Sequence, residues 1–181
     1  MKIKNFLLEL VETFLTSLVV ILILYVLIAS IEVVYGASME PSFYSGERIL
    51  VDKITKRLRE FERGEVVVFY PPGDDSKHYI KRIIGIPGDI IKIIDCKVLI
   101  SREGEKFELD ETYLSEEVCT AGSSVIKEGR SLRVGDEKYL LLGDNRDSSL
   151  DSRVLGLVEE KKIIGRVIFR FWPISRVGFV N

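Results

Sequence analysis

HYIKRIIGI, residues 78–86, holds four isoleucines in nine positions. Such a density of β-branched side chains suits a strand. Alternation along it sets Tyr79, Lys81 and Ile83 on one face and His78, Ile80 and Arg82 on the other. A Pro87-Gly88 turn follows, then DIIKIID (89–95), which reads as a second strand. Working outward, ERILVDK (47–53), GEVVVFY (64–70), KYLLLGD (138–144) and IIGRVIFRFW (163–172) have the same character. Glycine and proline clusters separate these runs, as tight turns between strands require. No run alternates with amphipathic helices of helical length, so a doubly wound α/β sheet is excluded. The chain reads as mainly β.

Two stretches depart from that pattern. Between Cys96 and Asp136 the apolar runs shorten, and Glu103, Glu105, Glu108, Asp110, Glu111, Glu116 and Glu117 accumulate. This reads as an inserted, solvated subdomain over 96–136, with a short helix near 111–117. The other stretch is TFLTSLVVILILYVLIASI, residues 13–31, free of charge, proline and glycine. Its length as a helix is roughly 28 Å, close to the hydrocarbon thickness of a bilayer. A cleaved secretory signal carries a shorter apolar region, and a buried core helix is rarely apolar on every face. The stretch reads as a transmembrane helix. Lys2 and Lys4 precede it and the next basic residue is Arg48, which puts residues 1–12 in the cytoplasm and everything after Glu32 outside.

The 181 residues carry a net charge of −2 with no clustered basic face, so no nucleic-acid partner is expected. Cys96 and Cys119 match no zinc spacing. In an oxidising compartment they are free either to bridge or to remain as thiols.

Ser38 lies in YGASMEPSF (35–43), a short way beyond the apolar stretch. A serine hydroxyl needs a base to become a nucleophile. His78 is the chain's one histidine, at a strand start beside Asp74, Asp75 and Lys77, where an exposed loop-edge role fits it. The G-x-S-x-G elbow is also missing, because Met39 and Glu40 follow the serine. A neutral lysine is the remaining class of base. Desolvation in an apolar run lowers the lysine pKa, and both Lys81 and Lys92 occupy such runs. Arg82 is unsuitable, since guanidinium keeps its proton. Periodicity does not choose between the two lysines.

GDNRDSSLDSR (143–153) is a polar loop after a strand. Asp144, Asp147 and Asp151 lack the alternate spacing of an EF-hand, so neither metal nor cofactor is expected. Its hydroxyls and Asp/Arg pairs suit a scaffold that holds another group in place.

Taken in order, GASMEP (36–41), RGEVVVF (63–69), YIKRIIGIPGD (79–89) and GDNRDSSLDSR (143–153) resemble the sequence blocks of bacterial type I signal peptidases, membrane-anchored Ser/Lys proteases. Gly156–Val158, Ile164–Arg166 and Phe171–Pro173 extend the resemblance. It implies an N-terminal transmembrane helix followed by an antiparallel, barrel-like β catalytic domain over 32–95 and 137–181. It further implies Ser38 as nucleophile, Lys81 as general base and Ser149 as the group orienting the lysine. Asp151 would be paired with Arg153 and Arg82, and Asp144 and Arg146 would be structural. Candidate walls of the substrate pocket are Val34, Met39, Phe43, Tyr79 and Ile80; Met39 and its apolar neighbours are also open to entering the membrane interface or to ordinary core packing. The implied substrates are exported precursors with small residues at the first and third positions before the cut. The lipid bilayer is the other expected partner. Gly36 stands where some members carry a serine that helps hold the oxyanion. A self-cleaving repressor-type Ser/Lys protease would need an N-terminal DNA-binding domain, for which residues 1–31 leave no room. A non-catalytic membrane-tethered β module would have no need of Ser38, Lys81 and the Ser149 loop together.

Overall fold

The structure is a computed structural model describing residues 2–115 and 117–180. Met1, Glu116 and Asn181, which the sequence assigns to the N-terminal segment, the insertion and the last β segment, lie outside these residues.

Helix α1 covers Lys2–Ile28. The expected cytoplasmic segment 1–12 is therefore, from Lys2 on, the start of the same helix. The apolar window Lys4–Ile23 is long enough to cross a bilayer and buries nothing against the rest of the chain. At its far end the expected 13–31 span runs three residues too long. Ala29, Ser30 and Ile31 belong to strand β1 (Ala29–Val33), whose backbone pairs antiparallel with β2 (Arg48–Asp52). Once that ladder supplies partners for N–H and C=O, the helix has no advantage for the β-branched Ile31 and Val33.

A one-turn helix α2 (Thr55–Leu58) leads to β3 (Val66–Phe69) and β4 (Tyr79–Gly85). Strands β5 (Ile90–Ile94), β6 (Lys97–Arg102), β7 (Glu105–Glu108) and β8 (Ser131–Arg133) follow. The chain continues through β9 (Lys138–Leu142), α3 (Ser152–Leu155), β10 (Val158–Glu159), β11 (Ile163–Trp172) and β12 (Gly178–Phe179). All recorded pairings are antiparallel. The main sheet runs β1-β2-β11-β3-β4-β9-β10, with β12 added to β11.

That sheet is curled. Three strands separate β1 from β4, which in a flat sheet would hold them roughly 19 Å apart. Yet Glu32 of β1 reaches His78, just before β4, at 3.2 Å. The concave side is filled by Val34, Met39, Phe43, Ile49, Val51, Val66, Val68, Ile80, Ile164 and Val167.

The second sheet, β7-β6-β5-β8, includes Ile90–Ile94. The insertion thus begins at the Pro87-Gly88 turn rather than at Cys96. Its boundary was misplaced because DIIKIID has the same composition as the main-sheet strands. The region is also less solvated than its acidity suggests, since Ile91, Ile93, Val98 and Ile100 pack against Leu140 and Leu142 of β9. Turns replace the expected helix near 111–117, with Leu114 N–H bonded to Glu111 O and Val118 N–H to Ser115 O. Cys96 and Cys119 are disulfide-bonded.

Candidate functional site

Ser38 sits on the turn that follows β1, and Lys81 is in the middle of β4. The curl brings them together: Lys81 Nζ is 2.6 Å from Ser38 Oγ and 2.9 Å from the Ile80 carbonyl oxygen. The lysine is 3 % exposed. Burial drives its pKa down to about 8, a shift partly opposed by the carboxylates of Asp151 and Asp144. A large fraction of the amine is therefore neutral near pH 8, within reach of a hydroxyl proton. Lys92, the other lysine with suitable surroundings in sequence, lies on β5 in the second sheet, away from Ser38.

Two bidentate ion pairs flank the Ser38–Lys81 contact. Arg82 Nε and Nη2 donate to Asp144 at 2.9 and 2.8 Å, while its Nη1 donates to Gly64 O at 2.8 Å. Arg153 Nε and Nη2 donate to Asp151, both at 2.9 Å. Burial works against the Asp151 carboxylate, but Arg153 and the Gly143 N–H hold its pKa below the usual range. Arg82 consequently belongs to Asp144, not to Asp151 as the resemblance implied. Adjacent side chains on a strand point to opposite faces, and Asp144 waits on the Arg82 face.

The loop from Gly143 to Ser149 packs directly on Ser38. Asn145 N–H donates to Ser38 O at 3.1 Å. A Cβ on Gly143 would stand 2.4 Å from the same carbonyl oxygen, so no side chain fits there. Ser149 does not orient the lysine in this geometry. Its buried Oγ lies toward the Asp151 carboxylate and helps hold it ionised, while the second contact of Lys81 Nζ is the Ile80 carbonyl.

A cleft of about 420 Å³ opens beside Ser38 and Lys81. Val34, Tyr79 and Ile80 line it, together with Ile49 and Val68. Met39 and Phe43 do not: both are buried in the core beneath the nucleophile turn, where Met39 is also cut off from any membrane interface. The cleft's far end holds Glu32, Lys77 and His78. His78 is paired with Glu32 and meets Tyr70 edge-on, consistent with its rim position and separate from the Ser38–Lys81 contact. Two strand edges face this space. Among the described residues, β1 is paired only with β2, and β4 is paired on its outer side only from Arg82 onward.

Gly36 adopts φ +83°. A serine there would carry left-handed strain, so a side-chain oxyanion donor is incompatible with this turn at low cost. Among residues the sequence left unremarked, Gly143 and Asn145 touch Ser38, and Glu47 anchors the nucleophile turn. Glu47 binds Arg170 and Arg176, which in turn donate to Ser42 O. These contacts join residues more than 120 positions apart, and no local pattern signals them.

A family model described as signal peptidase, peptidase S26, matches residues 7–172. The chain is 35% identical to a probable signal peptidase I-2 of Synechocystis sp., over 98% of this chain and 79% of that protein. It is also 35% identical to signal peptidase I of Bacillus licheniformis, covering 96% of this chain and 93% of that one. With signal peptidase IB of Staphylococcus aureus the identity is 34%, over 97% and 95% respectively. A crystal structure of signal peptidase I from Enterococcus faecalis is 25% identical with a TM-score of 0.48, covering 60% of this chain and 97% of that one.

Proposed function

The chain belongs to the signal peptidase family, peptidase S26, and from that premise we propose that it cuts exported precursors through a Ser38–Lys81 dyad while held in a membrane by α1. The single observation carrying this reading is the 2.6 Å contact between Lys81 Nζ and Ser38 Oγ inside a cleft.

The precursor segment before the cut lies extended between the free edges of β1 and β4, taking main-chain hydrogen bonds from both. Small side chains at the first and third positions before the cut enter the apolar walls made by Val34, Ile49, Val68 and Ile80. Ser38 Oγ attacks the scissile carbonyl carbon as neutral Lys81 takes its proton. The Ser38 N–H, without a partner among the described residues, faces the developing oxyanion. The Lys81 ammonium then protonates the leaving amine, and the C–N bond breaks to give an acyl-serine. Lys81, neutral again, takes a proton from water as the water oxygen attacks the acyl carbon. The ester C–O bond then breaks, the lysine returns the proton to Ser38 Oγ, and the new C-terminal carboxyl group leaves.

The α1 window matches a bilayer span, and strand β1 continues directly from it. Ser38 lies ten residues beyond Ile28, so the cleft stays near the surface from which signal peptides emerge. The N-terminus is then cytoplasmic and the β domain external, where an oxidising compartment suits the Cys96–Cys119 bridge.

The test is cleavage of a precursor with alanine at the first and third positions before its cut, by the full chain in detergent. Ser38→Ala and Lys81→Ala should each abolish processing, while His78→Ala should retain it. Normal cleavage by either dyad variant removes this mechanism.

A further inference from the structure

The inserted segment reaches the catalytic loop through one residue in particular. Arg146, between Asn145 and Asp147 of that loop, has a side chain that is 0 % exposed. Its Nε donates to Gly143 O at 3.0 Å, the residue packed against Ser38. Its other nitrogens leave the loop entirely. Nη1 bonds Glu111 Oε2 at 3.1 Å and also Thr120 Oγ1, and Nη2 bonds Glu111 Oε1. Tyr113 donates its hydroxyl to Glu111 at 2.6 Å and lays its ring 4.0 Å from the Arg82 guanidinium. Glu111, Tyr113 and Thr120 thereby hold both arginines that organise Gly143, Asp144 and Asn145.

The same segment is closed by the disulfide. Thr120 directly follows Cys119, and its N–H donates to Cys96 O at 3.1 Å. Arg153 also donates toward Ala121 O, and Val125 N–H donates to Arg153 O. Cys96 is exposed, so a reductant reaches the bridge.

We propose that residues 111–115 and 117–120, locked by Cys96–Cys119, form a redox-sensitive brace in which Glu111 is a positioning residue that seats the Gly143–Ser149 loop against Ser38. This rests on the Ser38–Lys81 reading for its effect on activity. A dithiol gives two electrons and two protons to the bridge, leaving two cysteine thiols while the dithiol closes to its own disulfide. The thiols no longer hold Thr120 at Cys96, the clamp on Arg146 loosens, and Asn145 loses its fixed place on Ser38 O.

The experiment uses the full chain in detergent: wild type untreated, wild type reduced by dithiothreitol, Glu111→Ala and Glu111→Gln. Hydrogen exchange at Asn145 should accelerate about tenfold or more on reduction and in Glu111→Ala, with β3 and β11 amides unchanged. Precursor cleavage should lose about tenfold or more in kcat with KM within about twofold, because the nucleophile is misplaced rather than the cleft walls. Glu111→Gln, which keeps one acceptor oxygen, should recover part of both effects, and reoxidation should restore the reduced protein. Unchanged Asn145 exchange overturns the proposal, as does acceleration spread equally over β3 and β11, which marks plain destabilisation. Failure of untreated wild type to cleave would instead count against the functional reading, because the exchange readout needs no turnover.

Discussion

At the scale of single residues, Lys81 sets function against stability. Its ammonium is buried at a cost, which is why its pKa falls from 10.5 to about 8. That difference corresponds to about 3 kcal/mol. The sign follows from proton counting: between pH 8 and 10.5 the unfolded lysine binds a proton that the folded one does not, so stability rises with pH through that window. Below it both states are protonated and the penalty is constant. Lys81→Met should therefore be inactive yet about 1–3 kcal/mol more stable at pH 7, and should lose the lysine's contribution to the alkaline gain. Thermal unfolding of both proteins at pH 7 and 10 measures this, and a destabilised variant at pH 7 would contradict it. Wild-type cleavage should fall about tenfold per unit as pH drops below 8, as the neutral amine disappears. Motif resemblance picked out both members of the proposed dyad, and the structure sets them 2.6 Å apart. Core packing was one of two placements open to Met39, whereas Phe43 was read as a pocket wall because it lies close to Ser38 in the chain. The turn at Ser38 instead directs these side chains down into the concave core.

At the scale of elements, composition found β2, β3, β4, β9 and β11 of the main sheet and failed where pairing overrides it. IIGRVIFRFW became β11, buried at Ile163, Ile164, Gly165 and Val167, and KYLLL became β9, buried from Tyr139 to Leu142. β1 was missed because an Ala-Ser-Ile sequence is as acceptable at a helix end as in a strand, and only its partner β2 decides. β7 was missed because EKFE is exposed throughout and owes its form to β6. Pairing also explains Gly165, which lies inside β11 where a side chain would be expected. A Cβ there would be 2.1 Å from Asp52 O, a backbone atom unable to yield. Gly165→Ala should cost about 1–3 kcal/mol by forcing β11 away from β2. Because β11 lies between β2 and β3, the cleft should widen and KM rise. An unchanged melting temperature would show that the sheet absorbs the extra carbon.

At the scale of the whole molecule, the strand order is what the sequence concealed most. The long C-terminal strand β11 inserts between β2 and β3, so chain order says little about which strands meet. The curl follows from that closure and is what joins β1, carrying the chain out of α1, to β4, carrying Lys81. This arrangement assigns different roles to two neighbouring N-terminal pieces. α1 buries none of its apolar window against the β domain, whereas β1 supplies five paired residues and one wall of the cleft. A chain lacking residues 2–28 should keep the strand signal in circular dichroism and a cooperative thermal transition. It should cleave a soluble precursor peptide in detergent, with its loss confined to membrane-embedded substrates. A chain lacking residues 2–33 should lose the β1 edge, expose β2 and fail on both substrates. The comparison separates anchoring from catalysis, because only the second deletion removes an element of the cleft. Equal activity in the two truncated chains would mean that β1 contributes nothing to substrate binding. Unfolding of the shorter deletion would mean that α1 is part of the fold as well as its attachment.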